Sequence, residues 1–483
     1  LFCALPAIRG VRFAIFSVNK DEAALKHWLK SWGRWLVACK SRRQKAALPA
    51  ANWGLAWQDN LLYRPPHALN QLLAEYGSPV HVIDFERLMR RLHSFRRLTQ
   101  PGLSHLFYSY KTNPLPGLLQ RLHQAGVGAE VISWYEYWLA RRLGVPPSRI
   151  IFNGPAKHDE AITKALREQI LLFNFNHVEE IERVRELARR QGQRLRVGLR
   201  VTGRSAWSGQ FGIAMSQAGE IVRYLLNCPE FDMVGIHCHR GHLLVDRDAA
   251  LAFLTELFQW LSQLHKELGW SPEILDCGGS LPVPSVRSLA AWEKRFAQVF
   301  LREPPAPQPT AALAGEEYMA LVEDQLVAYG RQIQGPVPQL ALEPGRSLTG
   351  DAQFLLVTVL ERRREADWHY LILDGGTAIS DPIQDEWHQL LPLRHRSGYV
   401  QPYRVVGPIC HMGDVIMPIW RSSPLEPGDG VAIMDTGAYF LPEERAFSFP
   451  RAGVIGLEQN GAITRLRRSE TFSDMIVRDE LGD

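Results

Sequence analysis

The chain has 483 residues, 46% hydrophobic and 22% charged, the composition of an ordinary soluble globular protein with room for two or three domains. Its formal charge of +4 conceals an asymmetry: residues 1–52 hold ten Lys/Arg and two Asp/Glu, a net of +8, so the remainder sums to −4 and is no basic nucleic-acid binder. Six scattered cysteines (Cys3, Cys39, Cys228, Cys238, Cys277, Cys410) with no CxxC pair argue against a structural zinc site and fit a reducing compartment, with the cytoplasm as the expected location.

Residues 1–18 are apolar but broken by Arg9 and Arg12, a weak match to a signal peptide. No stretch offers 18 uninterrupted apolar residues, so no membrane span is expected. Residues 21–45 (Leu25, Trp28, Leu29, Trp32, Trp35, Leu36) have the spacing of a basic amphipathic helix; a poorly ordered extension over 1–52 is the favoured reading. Residues 51–63 read as a short strand, 65–76 as a helix stopped by Gly77, 80–84 as a strand and 85–98 as a basic helix. A regular alternation follows. Short apolar runs at 106–111, 128–133, 150–155, 171–176, 195–201, 233–241, 273–279 and 339–346 are separated by helical stretches such as 115–125, 178–191 and 247–268. Strands alternating with helices predict parallel βα units, and eight of them without strict alternation of polarity predict a closed α/β (TIM) barrel. Within it, the proline-rich 303–309 reads as a stiff surface loop. After residue 346, strand-like runs at 354–360, 368–373, 404–406, 413–416, 430–433 and 453–457 predict a C-terminal all-β domain, joined by the first strand near Trp53. The expected division is a basic extension at 1–52, a segment at 53–85 contributing to the β domain, the barrel at 86–346 and the β domain at 347–483.

In such a barrel, chemistry sits at the C-terminal ends of the strands. Phe107-Tyr108-Ser109-Tyr110-Lys111 ends the first in one lysine, and Asn113-Pro114 breaks it. The sixth ends in His237-Cys238-His239-Arg240-Gly241-His242, the seventh in Asp276-Cys277-Gly278-Gly279-Ser280 and the eighth in Glu343-Pro344-Gly345-Arg346. A lone lysine at a strand end is usually solvated, and a lone histidine is usually a satisfied core residue. Together they set an amine, an imidazole, a glycine turn, a carboxylate and a guanidinium around one mouth. A glycine turn and an arginine suit a phosphate; a carboxylate keeps a pyridine nitrogen protonated; an amine condenses with an aldehyde.

With these residues the chain resembles the fold-type III pyridoxal-phosphate-dependent decarboxylases, which include diaminopimelate and ornithine decarboxylases and combine an alanine-racemase-like barrel with a β domain. The resemblance runs from about residue 54 to about residue 457. It is carried by Tyr-Lys-Thr-Asn (110–113), Gly-Ala-Glu-Val-Ile-Ser (128–133), Phe-Asn-Gly-Pro-Ala-Lys (152–157), Gln-Phe-Gly-Ile (210–213), His-Xaa-Gly (239–241), Asp-Cys-Gly-Gly (276–279), Glu-Pro-Gly-Arg (343–346), Gly-Pro-Ile-Cys (407–410) and Gly-Ala-Tyr (437–439). It implies pyridoxal phosphate as cofactor, an amino-acid substrate and a homodimer with composite active sites. It further implies that Lys111 bonds the cofactor and His239 stacks on its ring. Gly278, Gly279 and Ser280 cradle the phosphate, with Gly345, Arg346 and Tyr439 in the same shell. Glu343 pairs with the ring nitrogen, and Cys410, from the partner subunit, protonates Cα. Arg200, at the end of the fifth strand, is either a supporting donor or a surface ion pair.

Three positions depart from the family. His411 follows the cysteine where an acid is usual. Where diaminopimelate decarboxylases carry Arg-Pro-Xaa-Xaa-Tyr, with the arginine holding the distal carboxylate, this chain has Asp381-Pro382-Ile383-Gln384-Asp385. His242 stands where serine is common near the phosphate. An ionised acid cannot hold a carboxylate. Asp381, Asp385 and Glu386 attract a distal amine beside His411, or they are a solvated acidic loop. The expected reaction is α-decarboxylation of a modified or amine-bearing amino acid, as in siderophore or specialised biosynthesis. A racemase on the same fold and an inactive paralogue are the alternatives; Glu343, in place of the racemases' arginine, favours decarboxylation.

Overall fold

The computed structural model describes residues 47–98, 104–204, 209–241, 246–308, 313, 315–366 and 368–480. The amphipathic stretch at 21–45 and His242 lie outside them. Among the described residues, no helix is long and apolar enough to cross a membrane.

Eight parallel strands form the barrel: Ser104–Ser109, Gly128–Val131, Ile150–Phe152, Leu172–Phe175, Leu195–Thr202, Phe231–His237, Ile274–Asp276 and Gln339–Leu342. Each pairs with the next, and the eighth pairs with the first (Leu340 opposite Ser104), which closes the ring. Most residues of these runs are buried, with His105 and Gln339 exposed near the N-terminal ends, which is why the runs lack the alternation of a half-exposed strand. Seven of them stop short of the expected ends, by the most at Phe152, His237, Asp276 and Leu342. The residues beyond curl into the mouth.

The chemistry of the helix ends is local. Ser133 accepts the Glu136 N–H to start the helix Trp134–Arg142, and Asp246 accepts from Asp248 and Ala249 to start Arg247–Leu268. One glycine is a packing device: a methyl on Gly198 would lie 2.1 Å from Asn174 Oδ1, so the fifth strand leaves that amide its place in the barrel.

The β domain centres on the long strand Gln353–Glu365. Successive parts of it pair with Val80–Asp84, Gly430–Ile433 and Trp368–Leu373. Gln401–Val406 and Val415–Ser422 extend one side; Gly453–Leu457 and Ile463–Arg467 extend the other. Barrel and β domain have separate apolar cores.

The N-terminal segment differs from expectation. Residues 51–63 are not one strand. The 3-10 turn Ala50–Trp53 leads into a hairpin of Ala56–Gln58 with Leu61–Arg64. Asp59 and Asn60, both at positive φ (49° and 62°), reverse it; such a pair suits the twist of a two-residue hairpin. Trp53 is therefore not a strand of the β domain, although its indole N–H donates to Asp435 there at 2.8 Å. The strand that joins the sheet is Val80–Asp84. The helix expected from residue 65 begins at Leu69, because Pro65 and Pro66 offer no N–H and His67–Ala68 pair with the hairpin.

Candidate active site

Lys111 sits in a 3-10 turn, Tyr110–Thr112, that caps the first barrel strand. Two contacts pin this turn. Tyr439 of the β domain donates its backbone N–H to Thr112 O at 2.7 Å. Gly345 packs against Thr112 so closely that a methyl there would lie 2.1 Å from Oγ1. Tyr439 itself holds φ at 70°, a strained conformation for a tyrosine. The lysine side chain keeps about a third of its surface exposed (36%), with Nζ 3.9 Å from Glu130 Oε2. Burial pulls the ammonium down, but Glu130, Glu343 and Tyr439 outweigh it, and the lysine is raised above its ordinary value.

Behind the lysine lies a polar core built by six of the strands and the residues that follow them. Asn153 Nδ2 donates to Glu343 Oε1 at 2.5 Å and to Glu130 Oε1 at 3.0 Å, while Asn153 Oδ1 accepts from Asn174 at 2.8 Å. Ser109 Oγ donates to Glu130 Oε2 at 2.6 Å. Glu343 Oε2 lies 3.7 Å from His239 Nδ1 and 3.9 Å from His237 Nε2. Among the described residues, both ring nitrogens of buried His237 lack a hydrogen-bond partner.

Three buried carboxyls cannot all ionise there. Burial opposes charge on Glu343, but His237, His239 and Lys111 outweigh it and hold Glu343 below the usual carboxylate range. Burial, with the charge of Glu343, pushes Glu130 and Asp276 the other way, although Lys111 moderates the rise of Glu130. The negative charge concentrates on Glu343. Burial lowers both histidines, His237 to about 3, and Glu343 opposes the fall.

The glycine turn after the seventh strand lies against His239. Gly278 is at φ 66°, and a methyl on it would sit 2.3 Å from His239 Nδ1. A methyl on Gly279 would sit 2.3 Å from Glu343 O. Gly279 N–H faces His239 Nδ1 at 3.4 Å, and Ser280 Oγ meets Nε2 at 3.2 Å. Ser280 takes φ 71° without being glycine. This small-residue cradle, the adjoining lysine and the ionised Glu343 fit a phosphorylated pyridine aldehyde.

The structure thus brings Lys111, His239, Gly278, Gly279, Ser280, Glu343, Gly345 and Tyr439 to one mouth. It treats the remaining expected residues differently. Arg346, expected beside a phosphate, gives both terminal nitrogens to Glu386, at 2.6 and 2.8 Å. Asp381 pairs with Arg445, and Asp385, almost fully exposed, lies 3.4 Å from Lys294. The three acids read as receivers of a distal amine therefore each have a cation already. Cys410 and His411 are exposed in the single chain, on a loop tied to buried Asp414 by the Ile409 N–H at 3.0 Å. Arg200 is no surface ion pair: it is buried, 4.6 Å from the Phe211 ring, and burial lowers it. Glu130, Asn153, His237 and Asp276 had no assigned role in the sequence. The signal for them was present in Gly-Ala-Glu-Val-Ile-Ser, Phe-Asn-Gly-Pro-Ala-Lys, His-Cys-His and Asp-Cys-Gly-Gly, but their convergence needs the closed ring.

Comparison with known proteins agrees with this geometry. The chain is 26% identical over 444 residues to the diaminopimelate decarboxylase of Aquifex aeolicus, covering 88% of this chain and 97% of that one. It is 27% identical over 432 residues to that of Zymomonas mobilis, covering 85% and 94%. Among solved structures, it superposes on the diaminopimelate decarboxylase of Methanocaldococcus jannaschii in co-complex with L-lysine with a TM-score of 0.79 and 21% identity, over 89% of this chain and 98% of that one, which speaks to the fold. Residues 85–350 match the family model "Pyridoxal-dependent decarboxylase, pyridoxal binding domain", a span that holds Lys111, His239, the glycine cradle and Glu343. The chain therefore belongs to the pyridoxal-dependent decarboxylases, carboxy-lyases that act on amino acids with pyridoxal phosphate as cofactor.

Proposed function

We propose that this chain removes the α-carboxylate of an amino acid whose far end is not a carboxylate: an amine-bearing or otherwise modified side chain, as in siderophore or other specialised biosynthesis. One observation carries the reading. At the position where diaminopimelate decarboxylases carry arginine, this chain has Asp381, held by Arg445. An acid there repels a second carboxylate.

Bound pyridoxal phosphate supplies the sink for the electron pair left when the Cα–CO₂ bond breaks. Lys111 would hold the cofactor through its amine, and Gly278, Gly279 and Ser280 would cradle the phosphate, with Tyr439 beside it. Before Lys111 can bond an aldehyde its ammonium, 3.9 Å from Glu130, must lose a proton. Ionised Glu343 would keep a proton on the ring nitrogen, and His239 would cover the ring face. The upward push on Glu130 and Asp276 serves Glu343, because a second charge beside it would raise it and loosen its hold on that proton. Cys410 of the partner subunit would return a proton to Cα in a composite dimer site, a reading supported by its exposure in the single chain.

The test is a steady-state panel of amino acids, following CO₂ and amine. Lysine, ornithine and related amine-bearing or modified substrates should exceed diaminopimelate in kcat/KM. Diaminopimelate as the best substrate would refute the reading.

A further inference from the structure

The guanidinium of Arg346 is the natural oxyanion fork of this mouth, and it is full. Glu386 fills it with two parallel hydrogen bonds, Nη1 to Oε2 at 2.8 Å and Nη2 to Oε1 at 2.6 Å. Both side chains are largely buried, with 10% and 16% of their surface exposed.

Glu386 is not a loop acid that happens to touch a cation. It opens the strand Glu386–Trp387, paired antiparallel with Arg287–Ser288, and Trp387 behind it is fully buried. Its Oε2 also lies 3.2 Å from Nε2 of buried His388, whose Nδ1 is 2.9 Å from Met434 O. Burial opposes charge on Glu386; the His388 hydrogen bond and the Arg346 guanidinium outweigh it and hold the carboxyl below its usual range. A carboxylate carried on a strand and gripped from two sides is a fixed ligand.

The fork also belongs to the reacting mouth. Arg346 follows Gly345, which packs on Thr112, the neighbour of Lys111. Its guanidinium carbon lies 5.3 Å from the Tyr439 ring centre, and Tyr439 is itself bonded to Thr112. The surrounding charges do not favour a second anion. Burial raises Glu443, and Asp381 and Glu386 raise it further, while Arg445 is spent on Asp381.

We propose that Glu386 is a built-in carboxylate that occupies the oxyanion seat on Arg346 and keeps external oxyanions out of it, so that it sets specificity. The inference rests on the substrate reading above. The excluded oxyanion has two possible sources, a distal carboxylate of the substrate and the phosphate of the cofactor, and the test separates them.

The variant is Glu386→Gln, which keeps the shape, removes the charge and turns an N–H donor toward the guanidinium. The substrates are lysine and diaminopimelate, which differ only by the second carboxylate. In the holoenzyme, the ratio of kcat/KM for diaminopimelate over lysine should rise about tenfold or more, chiefly through KM, because a charge-assisted pair becomes available to the substrate. Where turnover is too slow, inhibition constants give the same ratio. In Glu386→Ala, acetate should compete away the gain. A merely structural glutamate would lower both substrates alike. Titration of the apoprotein with pyridoxal phosphate is the second arm: tightening of about tenfold with an unmoved substrate ratio supports the plug and assigns the seat to the cofactor phosphate. Neither change in folded Glu386→Gln overturns the proposal. Should that variant not fold, Glu386→Asp, which withdraws the carboxylate by one methylene, must shift one of the two in the same direction. A wild type that prefers diaminopimelate defeats the substrate reading itself; a lysine-preferring wild type whose variants shift nothing defeats only the plug.

Discussion

Asn153→Ala tests the wiring behind Lys111. One amide serves three partners: it donates to Glu343 at 2.5 Å and Glu130 at 3.0 Å and accepts from Asn174 at 2.8 Å. All four side chains are buried. Truncation removes a hydrogen bond to an ionised group, worth about 1.5–3 kcal/mol, and strands the Asn174 amide, at about 1–3 kcal/mol. A water in the vacated space, which has polar partners on several sides, recovers part of this. The expected loss of stability is about 3 kcal/mol, read by urea unfolding at neutral pH. The same change removes a donor that favours the charged form of Glu343, so that carboxyl moves up toward its ordinary range. Its hold on a proton at the cofactor nitrogen weakens, and kcat should fall more than KM rises. A variant within about 0.5 kcal/mol of wild type, with unchanged kcat, would refute the shared-amide account.

Further outcomes are expected. Lys111→Ala should abolish the visible absorbance of the cofactor-loaded protein, and Lys111→Ala and Cys410→Ala should each be nearly inactive. If sites are composite, mixing the two variants in equal amounts should restore about a quarter of wild-type activity, since half the dimers then carry one intact site; no recovery after verified subunit exchange would place both residues in one subunit. Glu303, buried and accepting the Arg421 N–H at 3.4 Å, is pushed by burial to about 8. An acid raised on folding contributes stability that is fully present below its unfolded value near 4.3 and is lost as pH rises through the folded value. Wild type should therefore lose stability from about pH 4.5 to pH 8, by a few kcal/mol, and Glu303→Gln should flatten that slope; equal slopes in thermal or urea unfolding would refute it.

Much of the architecture is legible because burial leaves a mark on composition. Strands covered on both faces read as unbroken apolar runs, and all eight barrel runs are strands. The ends are harder to place, since Lys111, Gly278 and Arg346 continue apolar runs in sequence while turning out of the ladder in space. The N-terminal hairpin is missed for a smaller reason: Asp59-Asn60 is a turn pair within a run that otherwise reads as one strand. The cofactor side of the site is legible because its demands are chemical. An amine, an acid and a glycine turn at strand ends are visible as residue types.

The sequence by itself determined which charges this protein has for its mouth and the loop beside it: a lysine, a glutamate, an arginine, and acids at 381, 385 and 386. Only the tertiary structure decided which of those charges are still available. Glu343 stays ionised because His237, His239 and Lys111 outweigh its burial, while two neighbouring carboxyls are pushed up beside it. Arg346 and Asp381 are each spent on a partner 40 and 64 residues further along the chain. Coulombic and hydrogen-bonding energies depend on separation and burial, neither of which is written in residue order, and a guanidinium already matched by one carboxylate has little left to offer another.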